Sequence, residues 1–139
     1  MIEEEKLQTT LDKLTAAADE LLFSSESDEP FEAFSWDLPT KEALNNAQIL
    51  EYLQLPVETQ ITQKTLDNFF RNVTTPQEWH SEEDLDIVEK FQELAFAMRK
   101  NLNKIQVFLV GNIEIDAYVI GLTTDKLYWA GLKTKVIET

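Results

Sequence analysis

The spacing of apolar residues changes between Leu102 and Val107, and that change limits what the chain can become. Before it, Leu85, Val88, Phe91, Leu94, Ala95, Met98 and Leu102 recur every three or four positions, the period of one helix face. Ser81-Glu82-Glu83-Asp84 ahead of them reads as a capping box, with Asp at the place where Glu or Gln is usual. Three acids in the first turn, and Arg99, Lys100 and Lys104 near the end, suit the helix dipole. From Val107 the pattern is β-rich. Residues 107–110 and 113–120 read as strands joined by a two-residue turn at Gly111-Asn112, and residues 127–137 read as a third strand. Helices followed by an antiparallel meander define an α+β fold.

The rest of the chain fits the same class. Leu7, Leu11, Leu14, Ala18, Leu21 and Leu22 predict an amphipathic helix over about residues 4–22. Ser24-Ser25-Glu26-Ser27-Asp28-Glu29-Pro30 breaks it, because short polar side chains compete for backbone hydrogen bonds. Phe31 to Asp37 alternates like a strand. Thr40 is the expected N-cap of a helix over 41–53, with Leu44, Ala47, Leu50 and Leu53 on one side and Pro56 as its stop. Thr65 to Asn72 reads as a short helix presenting Leu66, Phe69 and Phe70, and Thr75-Pro76 as a cap with Pro at the first helical position. There is no repeat and no Pro- or Gly-rich linker, so one domain over residues 1–139 is expected.

With 43% hydrophobic residues and 14 aromatic ones, the chain has material for one core. It has no cysteine, so disulfides and thiolate metal sites are excluded, and a cytoplasmic location is the simpler expectation. The start lacks the basic and apolar run of a secretory signal, and no window has the apolar length of a membrane helix. The net charge is −14, unevenly spread: residues 1–97 carry 22 acids against 6 bases, and residues 98–139 carry 4 acids against 6 bases. Such a surface repels nucleic acid and anionic membranes and attracts basic proteins.

Catalytic motifs are missing. His80 is the only histidine, and its place between Trp79 and an N-cap suits a surface or capping role. There is no Gly-x-Ser-x-Gly elbow and no phosphate-cradling glycine loop in a chain with three glycines. The acid clusters Glu26/Asp28/Glu29 and Glu82/Glu83/Asp84/Asp86 lack the spacing of a calcium loop. Basic patches interleaved with aromatics, which a nucleic-acid binder needs, are absent, and the bases near the C-terminus fall on outward strand positions.

Several blocks of sequence, in order, carry a resemblance. They are Leu21-Leu22-Phe23-Ser24-Ser25-Glu26-Ser27 with Pro30-Phe31-Glu32 and Trp36, then Phe69-Phe70-Arg71-Asn72-Val73-Thr74-Thr75-Pro76-Gln77-Glu78-Trp79. Lys90-Phe91-Gln92, Asn101-Leu102, Gln106-Val107, the run from Glu114 to Gly121, and Lys133-Thr134-Lys135-Val136-Ile137-Glu138-Thr139 follow. Together they resemble the nuclease A inhibitor family. Residues 38–64 lie outside the matching blocks, and His80-Ser81 departs from the family pattern.

The resemblance implies a three-layer α/β/α sandwich that is not an enzyme and needs no cofactor of its own. It implies one partner, a sugar-nonspecific DNA/RNA nuclease of the His-Asn, single-magnesium type, bound one-to-one by a monomer. Glu26, in the Ser-Glu-Ser loop, and the final Thr139, whose hydroxyl would reach the partner's magnesium, are the expected main contacts. Ser25, Ser27, Asp28, Trp79 and Glu138 are expected to line the same surface. The physics agrees: a nuclease cleft is electropositive and holds a metal with open positions, so carboxylates and hard oxygen ligands suit it. The rival reading from the residues alone is an acidic interaction or regulatory module with a non-nuclease partner. A hydrolase using paired carboxylates is a third reading, for which no motif speaks.

Overall fold

The computed structural model describes residues 2–138, and their side chains from Glu5 onward. Its centre is an antiparallel sheet in the order β3-β7-β6-β5-β4, built from β3 (Glu32–Trp36), β4 (Ile61–Lys64), β5 (Leu102–Val110), β6 (Glu114–Thr123) and β7 (Trp129–Ile137). The three C-terminal strands are the expected meander. The helices are α1 (Ile2–Ala18), α2 (Asn46–Leu53), two single turns α3 (Leu66–Phe69) and α4 (Arg71–Thr74), and α5 (Glu82–Asn101). A separate hairpin, β1 (Leu22–Ser24) with β2 (Asp28–Pro30), completes an α+β fold.

Strand alternation divides the core in two. Val107, Leu109, Ala117, Val119, Ala130, Leu132 and Val136 join Leu14 of α1, Leu66 of α3, and Phe91, Leu94 and Met98 of α5 in one cluster. Phe108, Val110, Tyr118, Ile120, Leu122 and Trp129 join Trp36, Leu44 and Ile49 in the other. The second face is covered by the short α2 and the segment before it. Where that cover stops, β7 presents the half-buried Lys133 and Lys135, the outward positions expected of its bases.

The capping box of α5 forms as expected: Ser81 Oγ accepts from Asp84 N–H, and Asp84 Oδ2 accepts from Ser81 N–H at 3.0 Å. These contacts, the backbone one first, hold the Asp84 carboxyl below its ordinary value. Among the described residues no helix is long and apolar enough to cross a membrane.

Several expectations need correction. The first helix stops at Ala18, because Glu20 takes a left-handed conformation (φ 64°) and turns Leu21 into the core. The second helix starts at Asn46, not Lys41, under an Asn45–Gln48 capping box. Residues 41–45 stay out of it because the Gln106 side chain accepts from Leu44 N–H (2.9 Å) and donates to Leu44 C=O (2.8 Å). The Thr40 carbonyl meanwhile accepts from the Trp129 indole at 2.8 Å. The helix face turns accordingly: Ile49 is fully buried and Ala47 is exposed.

Thr75-Pro76 does not open a helix. Thr75 is the extended C-cap of α4, the conformation a residue before proline prefers. Leu102 belongs to β5, which follows α5 directly through a bulge at Asn103–Gln106 with Lys104 at φ 53°. The Gly111-Asn112 turn is wider than two residues. The β5–β6 pairing closes at Val110↔Asp116, and Gly111 supplies the positive φ of 119°. The edge strand β4 had no sequence signal, since three of its four residues are exposed.

Candidate functional site

The Ser-Glu-Ser segment is the three-residue loop of the β1–β2 hairpin. Ser24 pairs with Asp28, and Ser25 N–H donates to Ser27 C=O at 2.9 Å, which leaves Glu26 at the tip. Two neighbouring acids are held by serines: Ser24 Oγ donates to Asp28 Oδ1 (2.6 Å), and Ser27 Oγ donates to Glu29 Oε2 (3.0 Å). At its base the hairpin packs through Phe23, stacked on Phe69 at 4.6 Å, and through Phe31 against Phe91 of α5 at 6.1 Å. Aromatic pairs of this kind stabilise beyond their buried area and fix the entry and exit of the loop.

The loop meets the end of β7. Strand β3 accompanies β7 only as far as Glu32↔Lys133. Beyond that point the hairpin takes over. Thr134, almost fully buried, donates its hydroxyl to Pro30 C=O at 2.9 Å and Glu29 C=O at 3.3 Å. Ile137 N–H then donates to Ser25 Oγ (2.9 Å), and Glu26 N–H donates to Ile137 C=O (3.4 Å). On the other side Glu138 N–H donates to Ile113 C=O in the β5–β6 turn at 2.9 Å. Glu26 and Glu138, far apart in sequence, therefore sit on adjoining segments. Glu114 belongs to the same end of the sheet, being paired with Ile137. Together with Asp28 this is an exposed carboxylate edge on well-anchored backbone.

The geometry sorts the expected site residues. Ser25, Glu26, Ser27, Asp28 and Glu138 come together at this edge. Thr139 follows Glu138 and lies outside the described residues. Trp79 is on another segment, a turn between α4 and α5 closed by His80 N–H to Gln77 C=O (3.1 Å) and Gln77 N–H to His80 Nδ1 (3.0 Å). Trp79 is 76% exposed and its ring lies edge-on to His80 at 4.3 Å, so His80 closes a surface turn. Thr134 and the backbone of Ile113 and Ile137 were not foreseen. Thr134 is one inward position of an alternating strand, and backbone contacts leave no mark in a sequence. Among the described residues no group of three or more His, Cys, Asp or Glu is arranged to hold a metal.

The family model for nuclease A inhibitor-like proteins matches residues 8–139, nearly the whole chain. The chain belongs to the nuclease A inhibitor-like family. The matched range includes residues 38–64, the segment outside the blocks that carried the resemblance. Comparison with curated proteins gives no match. Within this family frame the carboxylate edge is a candidate surface for meeting another protein. Its loop, its strand end and its turn are joined backbone to backbone, and its acids face solvent.

Proposed function

We propose that the chain inhibits a nonspecific, magnesium-dependent DNA/RNA nuclease of the His-Asn type. Glu26 and the last residues of the sequence enter the partner's cleft as one surface. The observation that supports this most is the junction of Ser25 and Glu26 with Ile137, which brings the Ser-Glu-Ser loop beside the end of β7 that leads to Glu138. Family membership supports a nuclease as the partner. Glu26 supplies the charge for a phosphate-binding cleft, and the Thr139 hydroxyl supplies a hard oxygen for the partner's metal. The inhibitor itself needs no cofactor. Ser27 and Asp28 shape and charge the loop, Glu138 adds to its field, and Trp79 is a separate apolar contact at the rim. Net charge −14 speeds the encounter with a basic enzyme and keeps nucleic acid away. The complex is one-to-one. In this reading the inhibitor works in the cytoplasm of a bacterial cell and guards it against its own secreted nuclease.

The test is a plasmid-cleavage assay with nucleases of this type. Wild-type protein is expected to stop cleavage near one equivalent without cutting or binding DNA. Truncating a buried charged contact costs roughly 2–5 kcal/mol of binding, so Glu26→Ala should weaken inhibition at least about 30-fold while the protein stays folded. Undiminished inhibition by Glu26→Ala would remove that residue from the interface. No inhibition of any such nuclease by the wild type would overturn the reading.

A further inference from the structure

The hydroxyl of Ser25 is used inside the protein. It accepts the Ile137 N–H at 2.9 Å and donates to the Ser27 carbonyl at 3.4 Å. A serine hydroxyl has one proton and two lone pairs, so its proton and one lone pair are committed before any partner arrives. The contact spans 112 residues of sequence and, with the Glu26 N–H to Ile137 C=O bond, gives β7 a partner where β3 no longer accompanies it. The hairpin root is held separately, by Thr134 and by the ring contacts of Phe23 and Phe31. What Ser25 adds is the fixing of the loop tip against the end of the last strand.

We propose that Ser25 is a positioning residue: it locks the Ser-Glu-Ser loop to Ile137, so that Glu26 and Glu138 reach the nuclease already in register. This rests on the functional reading above and changes the part assigned to Ser25, from a contact with the nuclease to a clamp within the inhibitor. Two determinants on unconnected segments would each have to be ordered on binding, and that ordering subtracts from affinity. Joined in the free protein, they bind without that cost. When only a fraction of molecules holds the binding geometry, apparent affinity falls by that fraction. Loss of one hydrogen bond of ordinary net strength changes such an equilibrium about three- to ten-fold.

The experiment pairs two readouts on the full chain: amide hydrogen exchange of Ile137 and Glu26 in the free protein, and inhibition of a His-Asn nuclease on plasmid DNA. Ser25→Ala is expected to speed exchange at Ile137 and Glu26 and to weaken inhibition about three- to ten-fold. Exchange in the sheet centre, at Val119 for example, should stay as in the wild type, which shows that the variant folds. Ser25→Thr, which keeps the hydroxyl, should restore both readouts. Weakened inhibition with unchanged Ile137 exchange would make Ser25 a direct contact and overturn the proposal. Full inhibition by Ser25→Ala would overturn it as well. No inhibition by the wild type overturns the functional reading and this proposal together, an outcome seen before any variant is made.

Discussion

Thr134→Val tests the anchor of the hairpin. Thr134 is 3% exposed, and its hydroxyl donates to Pro30 C=O at 2.9 Å, with Glu29 C=O at 3.3 Å as a second acceptor. Valine has nearly the same shape, so no cavity opens and the transfer term is small. What is lost is one donor shared between two carbonyls. Those carbonyls belong to residues that are exposed or half-buried, so water can reach them and the full penalty for a stranded buried group does not apply. The expected cost is therefore the net worth of an ordinary hydrogen bond, about 1 kcal/mol. Spread over an unfolding entropy of about 2 cal/mol/K per residue for a chain of 139 residues, that lowers the melting temperature by roughly 3 °C. Urea and thermal unfolding measure it, and hydrogen exchange at Ser24 to Asp28 should quicken because the hairpin root is loosened. A Thr134→Val protein as stable as the wild type, with unchanged hairpin exchange, would refute the claim that this hydroxyl holds β1–β2 to β7.

Four further outcomes are expected. Ser81→Ala removes the N-cap of α5 and should cost about 1 kcal/mol in urea unfolding. The Asp84 carboxyl of the same box is held below its ordinary 3.8, so its contribution is complete above that value and is lost as pH falls below it; Asp84→Asn should flatten this part of the acid unfolding curve. Tyr118 is raised to about 12, first by burial and then by the Asp116 carboxylate, so its contribution is present below the ordinary value of 10 and is lost as pH rises from there to about 12. At most about 3 kcal/mol is at stake, less where solvent screens the phenol, and Tyr118→Phe should remove that alkaline dependence from unfolding curves. Gly131→Ala would place a Cβ 1.8 Å from the Val119 carbonyl in the neighbouring strand, so β6 and β7 must part; a loss of about 3 kcal/mol is expected, and a loss below about 1 kcal/mol would contradict the strand packing.

What could be read from the sequence follows the range of the forces involved. Helix α5 and the meander declared themselves because burial on one face repeats at a fixed period, and Val88, Phe91, Leu94 and Met98 are indeed its inward side. Residues 41–45 misled because local propensity favoured a helix, while a bidentate pairing of the Gln106 amide with Leu44, 62 residues apart, was worth more. Strand β4 was silent because an edge strand with one half-buried residue has no alternation to show. Charge asymmetry suggested a basic partner but no surface for it; only the family resemblance singled out Glu26. That the loop adjoins the end of β7 could not be derived at all from residue types, since the junction is mainly backbone: Ile137 offers its N–H and C=O, and any residue but proline would. Ser25 is the exception, because its side-chain oxygen is the acceptor. A substitution there removes one of the two hydrogen bonds between the loop tip and Ile137 and leaves the backbone one, Glu26 N–H to Ile137 C=O, in place, which makes Ser25 the one side chain through which this junction can be tested.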